Sequence, residues 1–243
     1  MISLLKKEIQ SFLGSLTGYI VIIIFLTTVG LIMWVFPGEL NILESGYANI
    51  DTLFIIAPWV FMFLIPAITM RMFADEQKSG TIELLMTKPL TDYQIILAKY
   101  FAGVLLVVLS LLPTLVYFYS VYQLGATPGN LDMGGMWGSY LGLLFLASGF
   151  VAIGVFASSL SNNQIIAFII AIFLCFFIHI GFEFISSLDL FGPVDLFIQK
   201  LGINEHYNSM SRGVIDTRDA IYFLSLIAFF ILLTKMRLSS RKW

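Results

Sequence analysis

Cys175, His179 and Glu183 carry the side chains in this sequence that could together bind a transition metal. They follow one another at intervals of four residues, so they share one face of a helix, and thiolate, imidazole and carboxylate groups all bind such metals. The outer two are nevertheless separated by two helical turns, about 12 Å, which is too far for all three to hold one ion unaided. The alternative is that Cys175 is a small core residue and that the other two are paired or solvated near a membrane interface. We therefore predict no metal site, although an ionisable group such as Glu183 near membrane depth usually faces a cavity or a partner.

The sequence contains no motif for binding a nucleotide or for hydrolytic chemistry. A G-x-x-x-x-G-K-[ST] phosphate loop, an H-E-x-x-H helix, a G-x-S-x-G turn and paired cysteines are all missing. An intramembrane enzyme would need acid, base or metal ligands at one depth, and only His179 and Glu183 qualify. We therefore predict that the chain is not an enzyme, that it holds no cofactor, and that any ATP and Mg²⁺ are bound by another chain.

A polar interval from Arg71 to Lys99 lies between two apolar stretches and is where the chain could meet a soluble partner. A short helix is predicted to begin at Gly80. Its apolar residues at positions i, i+3 and i+4 share one face: Ile82, Leu85 and Met86. One alternative is that this helix lies flat on lipid, but the preferred interpretation is that it docks against a soluble partner.

The ends of this short helix are also defined by sequence signals. Glu83 lies near the N-terminus, where a carboxylate interacts favourably with the helix dipole. Pro89 ends the helix, and Thr91 with Gln94 forms a T-x-x-Q capping box that begins the next one. The pattern predicts a short amphipathic helix held between two longer helices.

Composition places those longer helices in a membrane. Of 243 residues, 59% are hydrophobic and 12% are charged, and the mean hydropathy is +0.94. A soluble domain carries about a quarter charged residues, so a soluble protein with a large core is excluded. Cys175 is the only cysteine, so no intrachain disulfide can form.

Apolar runs of roughly 20 residues, the length that crosses a bilayer, recur along the chain. We predict one all-α polytopic membrane domain over residues 1–243, with six transmembrane helices at about 16–36, 53–73, 94–122, 136–160, 164–187 and 219–236. The first of these is too long to be the apolar region of a signal peptide. The connecting segments are an N-terminal interfacial helix over 2–13, a cytoplasmic coupling loop over 74–93 and an extracytoplasmic re-entrant segment over 188–218.

Three details within these segments can be tested against a structure. In the N-terminal helix, the predicted apolar face consists of Ile2, Leu5, Ile9 and Phe12. Kinks are expected at Pro58, Pro66 and Pro113. A repeated G-x-x-x-G pattern, Gly134, Gly138 and Gly142, is typical of close helix packing in membranes, although Gly134 could instead belong to a preceding loop.

The distribution of positive charge predicts the orientation. Ten of the thirteen Lys and Arg residues fall in the N-terminus, the polar interval and the C-terminus. The remaining three fall on the opposite side of the membrane: Lys200, Arg212 and Arg218. The positive-inside rule therefore places both termini and the polar interval in the cytoplasm.

The motif E-x-x-x-G-T-I-E-L-L-x-T-x-P, from Glu76 to Pro89, resembles the signature of ABC-2 type export permeases, and the segment Glu205 to Ser225 is also similar to that family. The resemblance covers the whole chain and is greatest to the permease subunit of gliding-motility-associated ABC transporters of Bacteroidetes, the GldF type. It implies a half-transporter in which the short helix would contact an ATPase. The residues that match the coupling motif are Glu76, Gly80, Thr81, Ile82, Glu83, Leu85, Met86 and Pro89.

The same resemblance implies partners and leaves functional alternatives. A dimer of ABC ATPase subunits and a second permease chain, identical or related, would complete the transporter within membrane lipid, and no nucleic acid is expected. The alternatives are a permease for another cargo, for example in copper-site assembly or drug efflux, and a non-transporting membrane anchor of a motility or secretion machine.

Overall fold

The fold is entirely helical in the part of the chain that the structure describes. This computed structural model describes residues 1–87, 89–125, 131–190, 192–213 and 216–240, and of residue 86 the backbone only. Six of its helices are long and apolar enough to cross a membrane: Leu16–Trp34, Asp51–Lys78, Asp92–Leu124, Met133–Leu160, Gln164–Ser186 and Thr217–Ser239. The predicted fold class, an all-α protein with six transmembrane helices, is confirmed.

Several of these spans are divided into shorter helices. In chain order the α-helices are α1 (Ile2–Leu13), α2 (Leu16–Trp34), α3 (Asp51–Thr69), α4 (Arg71–Lys78), α5 (Thr81–Met86), α6 (Asp92–Leu111), α7 (Leu115–Leu124), α8 (Met133–Leu160), α9 (Gln164–Phe176), α10 (Phe182–Ser186), α11 (Asp195–Gln199), α12 (Ile203–Met210) and α13 (Thr217–Ser239). The second span comprises α3 and α4, the third α6 and α7, and the fifth α9 and α10. Helical structure in the second span continues to Lys78, beyond the predicted limit near residue 73.

The divisions have local causes. A 3₁₀ turn, Leu112–Thr114, separates α6 from α7 at Pro113, which has no N–H to continue the helical hydrogen bonds. A π-helical turn, Phe177–Gly181, separates α9 from α10. Such turns insert an extra residue into a helix and often occur at functional sites.

Two helix starts are capped by side chains, and the first of them, at Thr91, confirms the predicted capping box. Thr91 and Gln94 form a reciprocal capping box, with Thr91 N donating to Gln94 Oε1 at 3.1 Å and Gln94 N donating to Thr91 Oγ1 at 3.3 Å. Asp216 caps α13 by accepting a hydrogen bond from Arg218 N at 2.9 Å. Each cap satisfies N–H groups that have no partner within the helix.

Helix α8 is the centre of the bundle, packing against α3, α6, α9 and α13. Small residues bring neighbouring backbones close to it. A Cβ atom on Gly154 of α8 would lie only 2.1 Å from Thr69 Oγ1 of α3, and one on Gly103 of α6 would lie 2.7 Å from Val151 Cγ1 of α8. The outermost spans, α2, α9 and α13, leave most of their apolar side chains partly or fully exposed, as expected for lipid contact.

The N-terminal helix α1 buries a face that overlaps the predicted apolar face only in part. Its buried residues are Leu4, Glu8 and Phe12, and Leu5 packs partly against the core, whereas Ile2 is 80% exposed. The prediction counted only apolar residues and did not include Glu8, which is buried through an ion pair described below. We refer to the end of the bundle with α1, α5 and the C-terminus of α13 as the α5 end, and to the opposite end as the α12 end.

Candidate functional site

The short helix predicted after Gly80 is present as α5. Gly80 adopts φ +69°, a left-handed conformation that only glycine takes without strain. This reversal turns the chain sharply after α4, so that α5 can begin at Thr81. Ser79 and Thr81 share a hydrogen bond of 2.9 Å between their hydroxyl groups, which fixes the turn.

The burial of α5 shows which of its faces is available to a partner. Leu85 is only 6% exposed and Ile82 is partly buried, and both pack against the core of this chain. Leu84, on the opposite face, is 66% exposed. The apolar face that the periodicity identified therefore seats α5 on its own chain, which leaves Leu84 exposed.

The remaining residues of the coupling motif have different positions. Thr81, Glu83 and Pro89 are exposed beside Leu84. The Met86 side chain and Lys88 lie outside the described part of the chain. Glu76 is directed inwards, towards a cluster of charged groups.

This cluster, the Lys99 cluster, consists of Lys99, Glu8 and Glu76. Lys99 is 1% exposed, and its Nζ atom lies 2.9 Å from Glu8 Oε1 and 3.0 Å from Glu76 Oε2. Lys7 Nζ lies 3.8 Å from Glu76 Oε1 at the exposed edge. A buried ammonium group is strongly destabilising unless it is paired, so two carboxylates must remain in place around it.

The Lys99 cluster joins three helices, two of which flank α5 in the sequence. Glu8 comes from α1, Glu76 from α4 and Lys99 from α6, which are the helices that precede and follow α5 together with the N-terminal helix. The ammonium group also lies 5.1 Å from the centre of the Phe73 ring, within the range of a cation–π contact. The arrangement favours movement of these segments as one unit.

Helix α4 is also attached to the centre of the bundle through Ser158 at the end of α8. The hydroxyl of Ser158 accepts hydrogen bonds from Phe73 N at 2.9 Å and Ala74 N at 3.2 Å, and it donates one to Met70 O at 2.9 Å. These backbone groups lie at the break between α3 and α4. Gln77 Nε2 donates to Ser159 O at 3.0 Å close by. Displacement of α4 therefore acts directly on α8.

A large cavity opens at the α12 end. Its volume is about 660 Å³, and it lies between α3, the π-helical turn with α10, and α12. Side chains from all three segments line it, among them Asp51, Phe54, Trp59, His179, Glu183, Asn204 and Tyr207. Glu183 Oε2 accepts a hydrogen bond of 2.7 Å from Asn204 Nδ2 at the mouth of the cavity.

One wall of this cavity is held by a proline and a tyrosine. Pro58 has no N–H, so the carbonyl of Phe54 one turn earlier has no partner within α3. Tyr207 supplies one, since its hydroxyl donates to Phe54 O at 2.6 Å. Burial raises the pKa of the Tyr207 phenol, which keeps this donor protonated. Helix α12 is therefore attached to α3 at the Phe54 carbonyl, which receives no hydrogen bond from Pro58.

The stripe Cys175, His179 and Glu183 does not converge on one point. Cys175 is fully buried in α9, His179 is buried in the π-helical turn, and Glu183 is exposed at the mouth of the cavity. The described residues contain no group of three or more His, Cys, Asp or Glu side chains arranged to hold a metal ion.

The three glycines of the G-x-x-x-G pattern in α8 have different surroundings. A Cβ atom on Gly138 would lie 2.6 Å from Gly213 Cα, and one on Gly142 would lie 2.8 Å from Met210 Cβ. A Cβ atom on Gly134 would be 3.5 Å from Asp132 Oδ1, an ordinary contact. Gly138 and Gly142 thus let α8 approach α12 and the turn that follows it.

Sequence reasoning missed Glu8, Lys99, Ser158 and Tyr207 as structural determinants. Two signals were available: Glu8 shares a face with Leu4 and Phe12, and Lys99 interrupts an otherwise apolar run in α6. An ionisable residue in such a run indicates a buried partner. The pairing itself, across 91 residues of sequence, follows only from the fold.

Comparison with known proteins identifies the family. A comparison with curated proteins finds no match. A family model described as ABC-2 family transporter protein matches residues 43–202, more than half of the chain. The matched region includes α5, Lys99 and Glu76, most of the α12-end cavity and the central helix α8. The chain belongs to the ABC-2 family of transporter proteins.

Proposed function

We propose that this chain is the permease subunit of an ATP-driven exporter and that a separate ATPase acts on it through α5. The observation that carries the proposal is the exposed Leu84 on a short helix whose base is fixed by the buried Lys99 cluster. A lone exposed Leu is ordinary, but this one lies on a short helix seated on the core, together with the exposed polar residues Thr81 and Glu83. An apolar anchor with a polar rim is a common design of protein interfaces.

Force applied to α5 would reach the membrane helices along the contacts described above. The Lys99 cluster would make α1, α4 and α6 move together, and the Ser158 hydrogen bonds would transmit the movement of α4 to α8. Such movement of packed elements as rigid bodies is a common way to switch between two arrangements. In this proposal the α5 end is cytoplasmic, as the positive charge at that end favours.

The proposal includes partners that complete the transporter. Two permease chains, identical or related, would each engage one ATPase subunit, which would bind ATP and Mg²⁺. On the resemblance of the coupling motif, we assign the chain to a gliding-motility-associated transporter of a bacterial inner membrane. Copper handling has less support, because Cys175, His179 and Glu183 do not converge.

The test is a photo-crosslinking amino acid placed at Leu84 in the native cell. We expect it to capture a protein that contains a phosphate-binding loop, identified by mass spectrometry. Leu43 is the matched control because it is 67% exposed, like Leu84, but lies at the α12 end. A crosslinker there is expected to capture no such protein.

A substitution gives a second measurement of the same contact. Leu84→Asp is expected to reduce the amount of co-purified ATPase by about tenfold, as for loss of an interface anchor. Leu43→Asp is expected to leave this amount unchanged, and both variants should remain in the membrane at normal levels. Unreduced ATPase with Leu84→Asp, or equal capture from Leu43, would contradict the proposal.

A further inference from the structure

The cavity at the α12 end has the size and shape of a small-molecule site. Its volume of about 660 Å³ is within the usual range for such sites, roughly 300–1,000 Å³. Asp51 and Trp59 both line it and lie on α3, separated by two helical turns or about 12 Å. The cavity therefore runs along α3 over this length and opens to the surface beside Trp59, which is 50% exposed, and apolar residues form most of its walls.

The charged groups of the cavity all have the same sign. Asp51 and Glu183 are exposed at its mouth, and no Lys or Arg occurs among the described residues that line it. Carboxylates beside low-dielectric walls create a negative potential that attracts cations. Trp59 and Tyr207 add aromatic rings, which can contact a cation on their faces.

His179 supplies an independent indication of a ligand. It lines the cavity in the π-helical turn and is 3% exposed, yet its Nδ1 atom has no hydrogen-bond partner among the residues that the structure describes. Its neighbours on two sides are aromatic: the Trp59 ring centre is 6.4 Å away and the Phe150 ring centre is 5.8 Å away, both edge to face. Buried polar atoms are nearly always paired, so an N–H group from a bound molecule would satisfy this nitrogen.

We propose that this cavity binds an organic ammonium ion with an apolar body, its N–H groups directed at Glu183 and His179 and its body against Trp59 and Phe54. This inference deepens the proposed function, because it assigns a chemical class to the molecule that the exporter recognises. Binding is measured on the permease chain alone, so the result does not depend on the ATPase or on contact at Leu84.

The experiment uses the full chain in nanodiscs of a neutral phospholipid and a pair of probes with opposite charge. The probes are 1-naphthylmethylammonium and 1-naphthaleneacetate, which share the aromatic body. Equilibrium dialysis, corrected with empty nanodiscs, is expected to show saturable binding of the ammonium probe and none of the carboxylate probe. Equal binding of both, or no saturable binding of the ammonium probe, would overturn the proposal.

Variants locate the binding. Glu183→Gln keeps an acceptor for Asn204 and removes the charge, and it is expected to weaken binding of the ammonium probe by about tenfold. His179→Leu is expected to weaken it as well, because the nitrogen acceptor is lost. Glu39→Gln, which removes an exposed carboxylate at the same end that does not line the cavity, is expected to have no effect. Unchanged affinity in both cavity variants would overturn the assignment.

Discussion

At the scale of single residues, Lys99 lies where three helices meet, and its ammonium group is almost completely removed from water. Its two carboxylate partners come from α1 and α4. Replacing a buried ion pair by apolar groups is often tolerated, whereas removing one partner leaves an uncompensated buried charge. Loss of one member of the Lys99 cluster is therefore expected to lower the stability of the chain more than loss of all its charges.

This difference predicts the behaviour of two variants. Lys99→Met removes the buried cation from Glu8 and leaves Glu76 with Lys7 at the exposed edge, and it is expected to destabilise the chain by about 3–5 kcal/mol. Combining Lys99→Met with Glu8→Gln and Glu76→Gln is expected to restore a large part of that loss. Thermal unfolding in detergent, followed by circular dichroism, measures both.

Lys78→Met serves as the control, because Lys78 is exposed on α4 and a change there should stay within about 0.5 kcal/mol. If the single and triple variants unfold at the same temperature, charge compensation does not explain the stability of the cluster.

At the scale of helices, patterns in the sequence predicted which elements form and where several begin. Thr91 and Asp216 fixed helix starts through local hydrogen bonds, which depend on residues only a few positions apart. The faces of α1 and α5 were less predictable. Glu8 is buried because Lys99 is folded against it, a contact distant in sequence. Leu85 lies on the face of α5 that the periodicity predicted, but the sequence did not show that this face packs against the core of the same chain.

The glycines of α8 give a prediction at this scale. In a helix, alanine is more favourable than glycine by about 1 kcal/mol at interior positions. Gly134 has open surroundings, so Gly134→Ala is expected to be neutral or stabilising. Gly138→Ala would place a methyl group against the backbone of Gly213 and is expected to destabilise the chain by about 1–3 kcal/mol. Thermal unfolding of the two variants in one detergent gives the comparison. Equal effects would show that the approach of α8 to Gly213 carries no packing energy.

At the scale of the molecule, the bundle has two chemically different ends. The α5 end carries a buried group of charges of both signs and an exposed short helix, whereas the α12 end carries a cavity with acidic groups at its mouth. The number of spans followed from the hydropathy of the sequence. The cavity did not follow from the sequence, because its walls come from segments more than 100 residues apart. Its shape also depends on the hydrogen bond from Tyr207 to the Phe54 carbonyl.

The proposed orientation gives a prediction for the whole chain. Because Cys175 is fully buried, an introduced surface cysteine can be labelled selectively. A membrane-impermeant maleimide added to spheroplasts is expected to label Leu43→Cys but to label Thr81→Cys only after the membrane is permeabilised. Labelling of Thr81→Cys in sealed spheroplasts would reverse the orientation.

The order of synthesis bears on how the Lys99 cluster is completed. A ribosome makes Glu8 first, then Glu76, and only afterwards the lysine that pairs with both. Until the third span is synthesised, Lys99 of α6 cannot pair with these two carboxylates. Burial of Glu8 in α1 would then lack the cation that compensates its charge. Helix α1 is therefore expected to dock only after the first half of the protein has left the translocon.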